Sequence, residues 1–447
     1  MAKKKFVPCP KWELPPEGTW VPYDLTRPEM KKVFNSDIRQ FPLTYIGQVS
    51  PSIVGWGAHM QVGVEANGNG IKHALITTTG LKSTGIVDEI QSVLKQAGVE
   101  STVFDGITTN PKDHECEAAY QVYKDAECDG VVSVGGGSSH DSGKAVRIQA
   151  VCEKIGDKRK LRDFACNLNP HYTTKMPTYP DVSVIPQIAV NCSTGTGAQF
   201  TTTAVINDTE WQYKLVCVTP GSLPSVAIDD PLLQRLQPSH VLAGAGMDAI
   251  VHALESLTGR LNCPVARSQS LMGIQLMAAN LRQAVGNPQN HDAMENCVWG
   301  MVLCSYGFLK VGAVGVIHTI AHMLGAMGDG MAHHGLANAI LMIPVSRWNL
   351  IANPQAYKDV GLAIGMEEIR HMSPIRGAEA TIDELEKLRN DVGITNCSLK
   401  QFDWFMEDPD GYINHASEWG YNDFTREANN RQTTPQDLKD LMYSQIY

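Results

Sequence analysis

Asp248 and His252 lie four residues apart in GAGMDAIVHALES, and His318 and His322 repeat that spacing in GAVGVIHTIAHML. Residues four apart share one face of a helix, so each pair offers two donor groups on the same side. His333-His334-Gly335 follows soon after, which places four of the chain's 14 histidines within seventeen residues. A carboxylate with several neutral imidazoles is a borderline-soft N/O donor set, suited to Fe(II) or Zn(II) rather than to Mg(II) or Ca(II). No cysteine falls in either segment, which disfavours a thiolate zinc site. Each pair taken singly fits a helix cap or a satisfied core imidazole at least as well. Together they point to a metal centre.

Two glycine-rich stretches suit a dinucleotide. In VVSVGGGSSHDSGKAV an apolar strand runs into Gly135, Gly136, Gly137 and Ser138, and a helix is expected to start near Asp141. Glycines let the backbone turn sharply and approach a ligand, and the free N–H groups of a helix start suit a pyrophosphate. The spacing is neither GxGxxG nor a Walker loop, and a tight strand-to-helix turn is the plain alternative. In NCSTGTGAQFTTTAVIND, Thr194, Thr196, Thr201, Thr202 and Thr203 crowd around two glycines. Such hydroxyls can donate to phosphate, ribose or a nicotinamide amide, although a Thr-rich strand pair with a glycine turn fits the same residues.

These side chains need elements to hold them. From about Phe41, KHALITTTGLKSTGIVDEIQSVLKQAGVESTVFDGI reads as strand, glycine loop, amphipathic helix and strand, with Ile86, Ile90, Val93 and Leu94 at helical spacing before Gly98. A further helix leads into the apolar run Gly130 to Val134, and DVSVIPQIAV and LPSVAIDDP read as strands. Strands alternating with helices imply a parallel sheet covered on both faces. After about Asp230 the alternation stops, and segments such as Arg267 to Val285 and Ala293 to Lys310 have helical composition. The expected organisation is an extension over residues 1–40, an α/β dinucleotide-binding domain over 41–230 and a helical metal- and substrate-binding domain over 231–447. The aromatic, acidic tail from Gly393 reads as helix packed on the core, with site capping or subunit contact as alternatives. Trp299 and Phe308 are candidates for the substrate pocket.

Composition narrows the class. The 447 residues carry 37 Lys+Arg against 47 Asp+Glu, a net charge of -10, which argues against a nucleic-acid binder. Eleven cysteines with no CxxC pair read as reduced thiols in a cytoplasmic protein. Phe6 to Glu17 holds four prolines and no continuous apolar core, so no secretory signal is expected at the start. Val311 to Gly328 is uncharged over eighteen residues, but its four glycines and two histidines fit a buried helix better than a membrane span.

Taken in order, GGGSxxDxxK at Gly135 to Lys144, the STGTG loop, DxxxH at Asp248 to His252, and HxxxH followed by HG resemble the iron-containing (group III) alcohol dehydrogenase family. The resemblance spans about residues 41–350, and TTGLKSTGI, NPKD, GGGSSHD and AHHGLANAI look most like its nicotinoprotein methanol oxidoreductases. It implies the dehydroquinate synthase-like architecture of that family, with Asp248, His252, His318 and His334 as metal ligands. His334 rather than His333 is implied because the family's ligand directly precedes Gly. His322 matches the family's non-ligand histidine near the substrate, a proton relay. Gly136, Gly137 and Ser138 match the pyrophosphate loop with Asp141 nearby, Thr194 and Thr196 the nicotinamide-side loop, and Lys214 in WQYKLVCVTP a cofactor-contacting lysine. The family loop GTGSE is here GTGAQ, at Ala198 and Gln199, and the segment between His322 and His334 is slightly longer than in many members. Where NAD-preferring members carry an Asp after an early strand, this chain has Thr79-Gly80, so NADP(H) is favoured over NAD(H).

The implied reaction is reversible oxidation of a small primary alcohol to its aldehyde by hydride transfer. The resemblance also implies a homo-oligomer, with decamers known among the nicotinoproteins. A metal-dependent lyase of dehydroquinate synthase-like type is the rival enzyme, yet Gly312 to Asn338 has no Lys or Arg for a polyanionic substrate. A non-catalytic assembly protein with a vestigial site is the rival outside enzymology.

Overall fold

The computed structural model describes residues 49–165, 180–261, 263–311, 314–328 and 333–446, and the extension expected over residues 1–40 lies outside them. Its first half is a six-stranded sheet built from β1 (Ser52–Val54), β2 (His73–Thr78), β3 (Glu100–Phe104), β4 (Gly130–Gly135), β5 (Gln187–Asn191) and β8 (Val226–Asp229). The order is β1-β8-β5-β4-β2-β3, and every pairing is parallel. The strands β6 (Thr203–Asp208) and β7 (Tyr213–Val218) form a separate antiparallel hairpin, so the Thr-rich stretch makes both a loop and a strand pair.

Helices cover both faces of the sheet: α1 (Val62–Gly68), α2 (Ile86–Gln96), α3 (Asp113–Asp125) and α4 (Gly137–Ile155). Alternation along β2 makes this possible. Ala74 and Ile76 pack with Ile90 and Leu94 of α2, whereas Leu75 packs with Ala119 of α3 and Val146 of α4. Each fully buried aliphatic side chain of this kind contributes about 1.5–3 kcal/mol. The chain leaves β2 for β3 and then returns past β2 to β4, so the connections diverge above the carboxyl ends of β2 and β4. Open α/β sheets bind ligands in that crevice.

The second half is helical, with α5 (Ser239–Thr258), α6 (Pro264–Gly286), α7 (His291–Val311), α8 (Val316–Ala326), α9 (His334–Asn349), α10 (Pro354–Ala363), α11 (Pro374–Asp391), α12 (Pro409–Tyr421) and α13 (Pro435–Tyr443). The α/β-plus-helical architecture expected from the alternation is therefore observed. Val316–Ala326 of the uncharged stretch form α8, buried along its whole length, and among the described residues no helix is long and apolar enough to cross a membrane. The tail packs on the core, with Trp419 of α12 only 1% exposed. The two halves meet at β1 and the turn after it, where Ser52 Oγ lies 2.8 Å from Tyr306 Oη and Trp56 Nε1 donates to Glu295 Oε2 at 2.9 Å.

Candidate active site

The helices α5 and α9 cross at glycines. A Cβ on Gly335 would stand 2.3 Å from the Gly244 carbonyl oxygen, so only a residue without a side chain lets them come this near. Asp248 follows one turn along α5, and His334, beside Gly335, brings its Nε2 within 3.6 Å of Asp248 Oδ1. From α8, His318 Nε2 lies 3.6 Å from the same oxygen and 3.0 Å from His252 Nε2. Donor atoms of Asp248, His252 and His318 all lie within 4.8 Å of one another, and His334 joins them through Asp248.

Asp248, His252 and His318 are buried and His334 is partly so, and burial and neighbouring charge pull on them in opposite directions. Burial pushes Asp248 up, but the imidazoles of His252, His334 and His318 hold its carboxyl far below the usual carboxylate range. Burial pushes His252 down to about 3 and His334 well below its ordinary value. Burial lowers His318 too, yet hydrogen bonds with Asp248 and Glu255 raise it to about 9. The buried oxygens Asp248 Oδ2 and Asn338 Oδ1 meet no hydrogen-bond donor, at a cost of about 1–3 kcal/mol each. An ionised carboxylate, the neutral imidazoles of His252 and His334 and unsatisfied oxygens fit a divalent cation, whose binding would release the proton that His318 holds.

Sequence reasoning missed two buried supports of this cluster. Glu255 accepts from Ile317 N at 2.7 Å and holds His318 Nδ1 at 2.6 Å. Asn338 places Nδ2 2.6 Å from Asp248 Oδ1 and 3.2 Å from Nε2 of both His318 and His334. The helical spacing used for the ligand pairs would have found them, since Glu255 is three beyond His252 and Asn338 four beyond His334.

On the cofactor side, α4 begins at Gly137, four residues before the expected start at Asp141, so the last glycine of the run already lies in the first turn. Gly135 takes φ +144°, a conformation side chains resist, and Gly136 caps α4 with no side-chain acceptor. A Cβ on Gly137 would stand 2.9 Å from Thr196 Oγ1, so the two glycine loops touch. Ser138 is half-buried beside them, and Thr194 is buried and accepts from Gln237 Nε2 at 3.3 Å. Asp141 is occupied by Lys144 Nζ at 2.9 Å and the Val205 amide at 3.1 Å. Lys144, the unassigned last residue of the GGGSxxDxxK run, also donates to the Ala198 carbonyl at 2.7 Å, which ties α4 to the Thr-rich loop.

That loop abuts the metal-ligand candidates. Gly195 packs on Ala245, one turn before Asp248, and a Cβ on Gly197 would lie 3.7 Å from the Phe308 ring, which stacks on His252 with centroids 4.3 Å apart. Of the two pocket candidates, Phe308 thus stands at the cluster, whereas Trp299 is 40% exposed on α7. Lys214, pushed down to about 8 by burial, donates to Asn110 Oδ1 at 2.9 Å, and its charge is felt at His322 and His334. Asn110, in the NPKD run but not assigned a role there, has a φ of 56°. His322 lies one turn beyond His318, its ring stacked on His334 at 5.6 Å.

Models of two families cover almost all of the described chain: iron-containing alcohol dehydrogenase over residues 50–231, and the C-terminal part of the Fe-containing alcohol dehydrogenase family over 242–446. This chain belongs to the iron-containing alcohol dehydrogenase family. It is 37% identical to a 1,3-propanediol dehydrogenase of Klebsiella pneumoniae over 73% of this chain and 80% of that one. It is 32% identical to a methanol:N,N-dimethyl-4-nitrosoaniline oxidoreductase of Mycobacterium sp. over 80% and 82%. The crystal structure of a 1,3-propanediol oxidoreductase superposes with a TM-score of 0.80 at 32% identity, over 90% of this chain and all of the other. As a member of this family the chain is a metal-dependent, nicotinamide-linked oxidoreductase interconverting alcohols and aldehydes, which sets aside the lyase and the assembly protein.

Proposed function

We propose that this chain interconverts a small primary alcohol and its aldehyde, with Asp248, His252, His318 and His334 holding Fe(II) or Zn(II). One observation carries the reading: a carboxylate and three imidazoles from α5, α8 and α9 converge against a glycine- and threonine-lined crevice. When bound, the cation supplies a Lewis acid that lowers an alcohol's pKa, and the nicotinamide supplies the hydride acceptor. The open N-terminus of α4 at Gly136, Gly137 and Ser138 binds the pyrophosphate. Thr194 and Thr196 position the nicotinamide side, and Lys214 adds a positive charge. His322 takes the alcohol's proton outward. Phe308 walls the pocket and excludes water beside His252.

NADP(H) is favoured over NAD(H), because Thr79 and Gly80, beyond the end of β2, bring no carboxylate against a 2′-phosphate. The resemblance to nicotinoproteins supports a cofactor retained through turnover and a homo-oligomer, up to a decamer. The free thiols of the described cysteines accord with a cytoplasmic setting.

The test is anaerobic purification with metal analysis and an absorbance spectrum, followed by a panel of short alcohols with NADP+ and NAD+. Stoichiometric iron or zinc, a reduced-nicotinamide band and alcohol-dependent turnover lost on chelation are expected. Full turnover in His318→Ala with unchanged metal content overturns the ligand set.

A further inference from the structure

We infer that Asp423, from the segment after α12, is the residue that positions His322 for proton transfer. The inference rests on the proposed role of His322. Asp423 is fully buried, and its Oδ2 lies 3.7 Å from His322 Nδ1. Its other oxygen is fastened, since Oδ1 accepts from Thr425 N at 2.9 Å and Thr425 Oγ1 at 2.8 Å. Thr425 Oγ1 in turn lies 2.7 Å from Thr319 Oγ1, within α8 and three residues before His322. The carboxylate is therefore held rigidly, by the same helix that carries the imidazole it faces.

At 3.7 Å the contact is an ion–dipole one rather than a full hydrogen bond, but both groups sit out of water, where such a field is weakly screened. A carboxylate facing Nδ1 favours the tautomer with the proton on Nδ1 and leaves Nε2 as the lone pair, as the orienting carboxylate does in Asp–His pairs. The proton released from the alcohol then goes to Nε2, while Nδ1 keeps its own. Asp423 would act through His322, which lies between it and the ligand cluster.

The competing account is that Asp423 merely caps the helical turn Phe424–Glu427, which its side chain does through Thr425 N. Asp423→Asn separates the two, because the amide oxygen can still cap while the charge is gone. We expect kcat with a short alcohol to fall about tenfold to a hundredfold, with KM, metal content and melting temperature unchanged. In a His322→Ala background the same substitution should cost nothing further. Thr425→Val, which loosens the carboxylate without removing it, should give a smaller loss with the same dependence on His322. Unchanged kcat in Asp423→Asn, or an equal loss with and without His322, overturns the inference. Full activity in His322→Ala overturns instead the proton-passing role on which it rests.

Discussion

Glu255 Oε2 stands 2.6 Å from His318 Nδ1, and its second oxygen accepts the Ile317 amide at the start of α8. One carboxylate thus fixes both the ring orientation of His318 and the helix that carries it, leaving Nε2 to face Asp248. Partners of this kind raise ligand basicity, and their loss costs about 10- to 100-fold in metal affinity. Glu255→Gln should therefore lose metal to a competing chelator at about 10- to 100-fold lower concentration than the parent. Equal retention would show that His318 needs no such support.

Gly335→Ala tests the crossing of α5 and α9. The added methyl would lie 2.3 Å from a backbone oxygen of Gly244, and backbone cannot move aside as a flexible side chain can. Overpacking of this sort costs about 1–3 kcal/mol. It should also carry His334 away from Asp248, so the melting temperature and the metal content should fall together. A variant that melts lower yet keeps full metal would place the ligand geometry outside the control of this crossing.

The ligand pairs were legible because one helical turn links Asp248 to His252 and His318 to His322, and the parallel sheet was legible from alternating strands and helices. The start of α4 was not. Glycine is a poor helix former, so Gly135 to Ser138 reads as a loop, whereas packing against Thr196 holds Gly137 in the first turn. Trp299 and Phe308 look alike as aromatic residues of α7, but nine residues is two and a half turns, which puts them on opposite sides. Asp423 had no local signature at all. Its partner, His322, lies far back in the chain, and only the folded tail unites them.

Stability should depend on pH through Asp229. Burial raises its carboxyl to about 7, although Asn191 and Gln199 donate to it and lower it. In the unfolded chain the group returns to about 3.9. Between these values the folded state holds a proton that the unfolded chain has released. The stabilisation present below the unfolded value is therefore lost as the pH rises through about 7. Asp229→Asn escapes that loss, so its stability relative to the parent should rise between pH 4 and pH 7 by at most about 4 kcal/mol and then level off. Melting curves at pH 5 and pH 8 that differ from the parent by the same amount would contradict this.

Cofactor choice should be reversible at a single position. β2 ends at Thr78, beside the divergence of β2 and β4, and Thr79 follows it, half-buried, ahead of Gly80 with φ +70°. A carboxylate here would accept from the ribose hydroxyls of NAD(H) and repel a 2′-phosphate at close range. A hydrogen bond to a charged group is worth about 1.5–3 kcal/mol, and the repulsion acts in the same direction. Thr79→Asp should therefore shift the ratio of kcat/KM for NADP+ over NAD+ by at least about tenfold towards NAD+, with the alcohol KM unaltered. If the cofactor is retained through turnover, the same shift should appear in which dinucleotide is released on denaturing the purified variant. An unchanged ratio by both measures would mean that the 2′ position of the ribose is read elsewhere than at the end of β2.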